Sequence, residues 1–162
     1  MIKTITTGAM CLFCSFLLVA CEQQATPEPQ TQQPVAPPKP ATLFDRLGGN
    51  PGLSEFVGDL IVAIGADTRI KYYFNNVDIN RFKTKLTEWL CQATGGPCSY
   101  NGRELTSVHR QMIISQNDFA AFMEDVSKTL DKRTVSSSDQ AEVVKILEAI
   151  KSDILAAHGS SL

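Results

Sequence analysis

The stretch Gly95-Gly96-Pro97-Cys98-Ser99-Tyr100-Asn101-Gly102-Arg103-Glu104-Leu105-Thr106-Ser107-Val108-His109-Arg110-Gln111-Met112-Ile113 leads out of one apolar helix and delivers a lone histidine onto the next. Leu105, Val108, Met112 and Ile113 fall at i, i+3, i+7 and i+8, the period of a helix with one buried stripe. His109, at i+4, lies inside that stripe, so its imidazole is expected to point inward. A histidine so placed is either a hydrogen-bonded core residue or a metal ligand, and the stripe alone does not choose between them.

Helical signals continue on both sides. Toward the C-terminus, Ser115-Gln116-Asn117-Asp118 has the pattern of a capping box, and Phe119, Phe122, Met123, Val126 and Leu130 define the inner face of a longer helix. Ser138 is expected to cap a last helix, with Val143, Ile146, Leu147, Ile150 and Ile154 inward. Toward the N-terminus, Asp78 is expected to cap a helix whose stripe is Ile79, Phe82, Leu86, Trp89, Leu90 and Ala93, stopped by Thr94-Gly95-Gly96-Pro97. The aromatic cluster Tyr72-Tyr73-Phe74 precedes it. Earlier still, Gly48-Gly49 breaks the chain, Asn50 is a cap candidate, Pro51 suits a first turn, and Leu53, Phe56, Val57, Leu60, Ile61 and Ile64 form a stripe ending near Gly65. No stretch alternates with period two. Short connections between several amphipathic helices describe an all-α domain.

Composition agrees with one ordinary globular domain: 162 residues, 43% hydrophobic, 20% charged, formal net charge −2. No Lys/Arg cluster offers a footprint for nucleic acid. The first 20 residues read as a targeting segment, with one basic residue, Lys3, and a run from Ile5 to Ala20 free of charged side chains. Leu18-Val19-Ala20-Cys21 resembles the lipobox of bacterial lipoproteins, which implies cleavage before Cys21 and acylation of its thiol; the alternative is an ordinary secretory signal with a chance cysteine. Glu22, rather than an aspartate, favours the outer membrane, facing the periplasm. Residues 21–41 are rich in Gln, Thr and Pro and hold hardly any large apolar residue, as befits an extended tether that reaches up to roughly 60 Å. The domain is then expected over residues 42–157, followed by a tail, 158–162.

Cys11 and Cys14 leave with the signal and Cys21 is acylated, so Cys91 and Cys98 are expected to pair in the oxidising compartment to which the chain is exported. The alternative is two unpaired buried cysteines.

Residues from about Leu43 to Leu155 resemble the group I truncated haemoglobins. The resemblance rests on Leu43-Phe44-Asp45-Arg46-Leu47-Gly48-Gly49, Asp67, Arg69-Ile70, Tyr73-Phe74, Gly95-Gly96-Pro97, Tyr100, Gly102 and Val108-His109, in order and in spacing. It implies a two-over-two helical sandwich around haem b, with His109 as proximal iron ligand and Phe74 against the haem face. Met112, Ile113, Phe119, Phe122 and Val126 then either form the proximal wall or remain plain core. A neutral imidazole is a standard haem ligand in apolar surroundings. No Cys-x-x-Cys-His sequence signals covalent attachment.

The departures bear on function. Where the family usually places a tyrosine that donates to bound oxygen, this chain has Ile61; where the next helix usually supplies a polar group, it has Phe82 and Leu86. The expected distal pocket is Ile61, Phe82 and Leu86, with Leu60 and Leu90 as further candidates, all apolar. Lys85 sits on the edge of that stripe at a position where some relatives place a second iron ligand, which leaves it three roles: a solvated or propionate-paired ammonium, a sixth ligand as the neutral amine, or a distal donor. The resemblance implies reversible binding of a diatomic gas (oxygen, nitric oxide or carbon monoxide). Two other readings stand beside it: an enzyme oxidising nitric oxide or acting as a peroxidase, fed by a reductase outside this chain, and a haem-free interaction module.

Overall fold

Local side-chain chemistry starts most of the helices. Thr42 and Asp45 form a capping box at α1 (Leu43–Arg46). Asp78 accepts from the Arg81 amide at α3 (Ile79–Ala93). Ser115 and Asp118 form a second capping box at α5 (Gln116–Lys132), and Ser136 accepts from the Asp139 amide at α6 (Ser137–Ala149). Each such bond satisfies an amide that has no partner within its own helix. In this computed structural model residues 39–156 are described, and they contain no strand. The signal segment, Cys21, the tether up to residue 38 and the tail at 158–162 lie outside the described residues.

α2 (Gly49–Ala66) is the centre of the packing: α1, α3, α5 and a 3₁₀ turn at Lys71–Phe74 all lie against it. Its Leu53, Phe56, Val57, Leu60 and Ile64 are buried with Leu90 of α3, Val126 and Leu130 of α5, and Val143 and Leu147 of α6. The pairs α2–α3 and α5–α6 thus share one apolar layer, two helices over two. Arg46 ties α1 to α6 through Asp139 and Glu142, both at 2.6 Å. Arg133 ties the end of α5 to Glu55 (2.6 Å) and Asp59 (3.0 Å) of α2. Among the described residues two buried polar atoms have no hydrogen-bond partner, Thr87 Oγ1 and Asp125 Oδ2; Asp125 is buried on α5, and burial first, then the nearby Asp67 carboxylate, pushes its carboxyl above the ordinary range.

Four boundaries differ from the sequence reading. α2 begins at Gly49 on an N-cap at Gly48 (φ +86°), not on Asn50, because glycine reaches the left-handed region that reverses the chain there. The histidine helix, α4 (Leu105–His109), stops at His109 instead of running on to Ile113. The last helix is two: α6 is capped by Ser136 rather than Ser138, and α7 (Lys151–Ala156) follows a break at Ile150. Ile79, expected inward, is 43% exposed.

Candidate functional site

A cavity of about 840 Å³ opens on one side of this core, a volume suited to a sizeable organic ligand. α3 turns toward it a stripe spaced as only a helix spaces residues: Asp78, Arg81, Phe82, Lys85, Leu86 and Trp89. Tyr73 and Phe74 of the 3₁₀ turn stand beside that stripe, with the Phe74 and Phe82 rings 5.3 Å apart between centroids. The opposite wall is Leu105, Val108 and His109 of α4, then Met112 and Ile114, then Phe119 and Phe122 of α5. Leu147, Ile150 and Ile154 line the remaining side, where α7 packs on α4.

The loop from α3 to α4 is built to reach this wall. Gly96 is obligatory because a Cβ there would meet the Phe44 ring at 2.6 Å and the Cys91 sulfur at 2.7 Å. Cys91 and Cys98 are joined by a disulfide, with Cα atoms 5.8 Å apart, so the loop leaves α3 from a covalent anchor. The Tyr100 amide donates to Gln92 Oε1 at 2.6 Å, and the Tyr100 hydroxyl donates to the Arg103 carbonyl at 2.9 Å. Tyr100, Asn101, Gly102 and Arg103 are thereby presented to the cavity.

Among the described residues His109 is the only imidazole on the cavity wall. Its Nδ1 lies 2.8 Å from the Leu105 carbonyl oxygen. A carbonyl only accepts, so Nδ1 carries the proton of that bond and Nε2 is the nitrogen left to face a ligand. Among the described residues no three His, Cys, Asp or Glu side chains gather to hold a bare metal ion. A metal at His109 would therefore draw its other ligands from a prosthetic group, and a large, mostly apolar cavity with one imidazole suits an iron porphyrin.

Residues 42–156 match the bacterial-like globin family, and the group 1 truncated haemoglobin of Tetrahymena pyriformis is 30% identical over 117 residues, covering 72% of this chain and 97% of that protein. The chain belongs to the group 1 truncated haemoglobins. The group 1 truncated haemoglobin GlbN of Mycolicibacterium paratuberculosis is 28% identical over 116 residues, covering 72% of the chain and 85% of that protein. Among solved structures, the Fe(III) form of the Tetrahymena pyriformis protein superposes with a TM-score of 0.68 at 29% identity, covering 71% of this chain and 98% of that one. The 2/2 haemoglobin of a Synechococcus species, in its cyanomet state with covalently attached haem, does so with a TM-score of 0.68 at 26% identity, over the same shares of the two chains.

Against that family frame, this truncated haemoglobin brings Phe74, Phe82, Lys85, Leu86, His109, Met112 and Phe119 together around one cavity. Two expected site residues lie elsewhere. Ile113 is 78% exposed and Ile114 takes its place on the wall, because the chain leaves helical geometry after His109 and the four-residue repeat no longer applies. Ile61 is half-buried against the core, and no residue of α2 reaches the cavity, whose distal side belongs to α3 and the 3₁₀ turn. Leu60, Leu90 and Val126 are likewise buried core. Lys85 is engaged: its Nζ lies 2.7 Å from Glu88 Oε2 and 2.7 Å from Asn101 Oδ1. Asn101 was not singled out in the sequence, since its partner is 16 residues away.

Proposed function

We propose that His109 is the residue that carries the iron in this haem-binding, gas-binding globin, with Nε2 as the ligating atom. The observation that supports it is the orientation of the ring: a cavity-facing imidazole whose Nδ1 proton is committed to Leu105. Such a bond to the far nitrogen fixes the tautomer and raises the basicity of the ligating one. Haem b, when bound, supplies an iron position at which a diatomic gas is taken up and released. Phe74, Phe82 and Leu86 would flank its distal face, Met112, Phe119 and Phe122 its proximal side, and Arg81, Lys85 and Arg103 would offer positive charge to its carboxylates.

Phe82 and Leu86 contribute shape and dryness to the distal side and have no polar side-chain atom. Lys85 is read as a rim residue, because ligation through its neutral amine would sacrifice the ion pair to Glu88 and the bond to Asn101. The most economical role is a reversible binder of a small gas. The location proposed with it is the periplasmic face of the outer membrane, with Cys21 as the acylated residue and the Pro/Gln-rich segment as spacer; two or more acyl chains suffice for stable anchoring.

Absorption spectra of the domain from residue 42, in ferric, ferrous and carbon monoxide-bound forms, test the assignment. His109→Ala should abolish haem retention or leave a spectrum restored by added imidazole. An unchanged Soret band in that variant would remove His109 from the iron.

A further inference from the structure

We propose that Tyr73 is a positioning residue for His109, holding the end of α4 at the cavity through the backbone carbonyl of Ile113. The inference rests on the reading of His109 as the iron ligand. α4 is a five-residue turn with no side-chain cap at its start, too short to be stable by its own backbone bonds. No glycine or proline follows His109 to end it; Arg110-Gln111-Met112-Ile113-Ile114 would continue a helix on propensity alone. One local and one long-range bond stand where it would continue. The Met112 amide closes a tight turn on the His109 carbonyl at 2.8 Å, and the Tyr73 hydroxyl, 40 residues away in sequence, donates to the Ile113 carbonyl at 2.6 Å.

The orientation of Ile113 gives independent support. Its side chain is 78% exposed while its carbonyl is held inward. Hydrophobic burial would turn this residue the other way, as it does Ile114, so the hydrogen bond and not apolar packing sets the chain direction here. The same hydroxyl lies 3.0 Å from Asp118 Oδ2, which accepts from the Ser115 amide (2.9 Å) and hydroxyl (2.7 Å) at the cap of α5. One phenol thus meets both the segment leaving His109 and the helix that follows it. Burial raises the Tyr73 phenol, which keeps its proton and remains a donor. Tyr73 adjoins Phe74, so the contact fixes the spacing between the wall that carries Phe74 and Phe82 and the wall that carries His109.

The test is Tyr73→Phe in the full haem-loaded chain, which removes one oxygen and leaves the ring. The iron–histidine stretching band in the resonance Raman spectrum of the ferrous protein should broaden and move to lower frequency, and haem should transfer to apomyoglobin about five- to tenfold faster, the scale of one lost neutral hydrogen bond. A Tyr73→Phe protein that is less stable but keeps the band's position and width would overturn the proposal, since a purely structural role would do that. His109→Gly separates the two readings: a band that survives it refutes the ligand assignment, whereas a band lost there but unmoved in Tyr73→Phe refutes the positioning role alone. If Tyr73→Phe does not accumulate, 3-fluorotyrosine placed at residue 73 keeps the ring and makes the hydroxyl a stronger donor. It should narrow the band and shift it upward, and no movement would count against the proposal.

Discussion

Leu86→Gln should convert a leaky oxygen site into a retentive one. Leu86 stands on the cavity-facing stripe of α3, one turn beyond Phe82, and glutamine fits its volume with a terminal amide in place of a methyl pair. Oxygen bound at a ferrous haem takes on negative charge and gains from a donor, while carbon monoxide stays closer to neutral. A hydrogen bond to a charged partner contributes roughly 1.5–3 kcal/mol, which corresponds to about a tenfold to a hundredfold change in affinity. Because differences of this kind lie mostly in dissociation, flash photolysis or stopped-flow displacement should show oxygen release slowed by about that factor, with carbon monoxide release changed much less. The unmodified protein should release oxygen fast and oxidise readily. Ile61→Tyr, at the position the family usually gives its tyrosine, should slow release less than Leu86→Gln, since Ile61 lies off the cavity wall. Slow oxygen release from the unmodified protein would refute the reasoning, as would a Leu86→Gln variant in which both gases respond equally.

Reducing the Cys91–Cys98 bridge, or replacing both cysteines with serine, should lower stability by about 2–3 kcal/mol in the chain-entropy model, read from the denaturant midpoint; the loop closed spans a sequence separation of 7. Asp125→Asn should raise the melting temperature at pH 7 and have little effect near pH 3. The sign follows from a folded-state pKa above the unfolded one: the native state disfavours the charged carboxylate at neutral pH, and that penalty vanishes once pH falls below the unfolded value, about 3.9. A gain that persists undiminished at pH 3 would mean packing rather than charge. Cys21→Ser should block signal processing and palmitate labelling, and label that persists in the variant would exclude Cys21 as the acylated residue.

Much of the site could be read along the chain because it is carried by helix periodicity. The α3 stripe from Phe82 to Trp89 obeys one repeat, and the caps at Asp78 and Ser115 are local, needing only residues three apart. The failures at the cavity are tertiary, whereas the caps at Gly48 and Ser136 differ from the sequence reading by two residues each. Ile113 would turn inward only if the helix ran on past His109, and a phenol from another segment meets the chain there instead. Ile61 was placed by its position in the family pattern, and such a match reports where a residue lies along α2, not whether that face of α2 looks into the cavity. The break at Ile150 has no proline or glycine to announce it. Asn101 and Tyr73 matter through partners 16 and 40 residues distant, a range at which hydrophobic pattern carries no information.

The division of labour between α2 and α3 bears on how the molecule comes to be assembled. The apolar layer is organised on α2, which touches no part of the cavity, whereas the cavity wall is drawn from one face of α3, short turns and the far ends of other helices. Folding can therefore run to completion on the α2 side without a cofactor in place, leaving a preformed scaffold with an open flank. Under the export proposed above that order matters: the scaffold would form first, and haem would be captured afterwards by a protein that already has its shape.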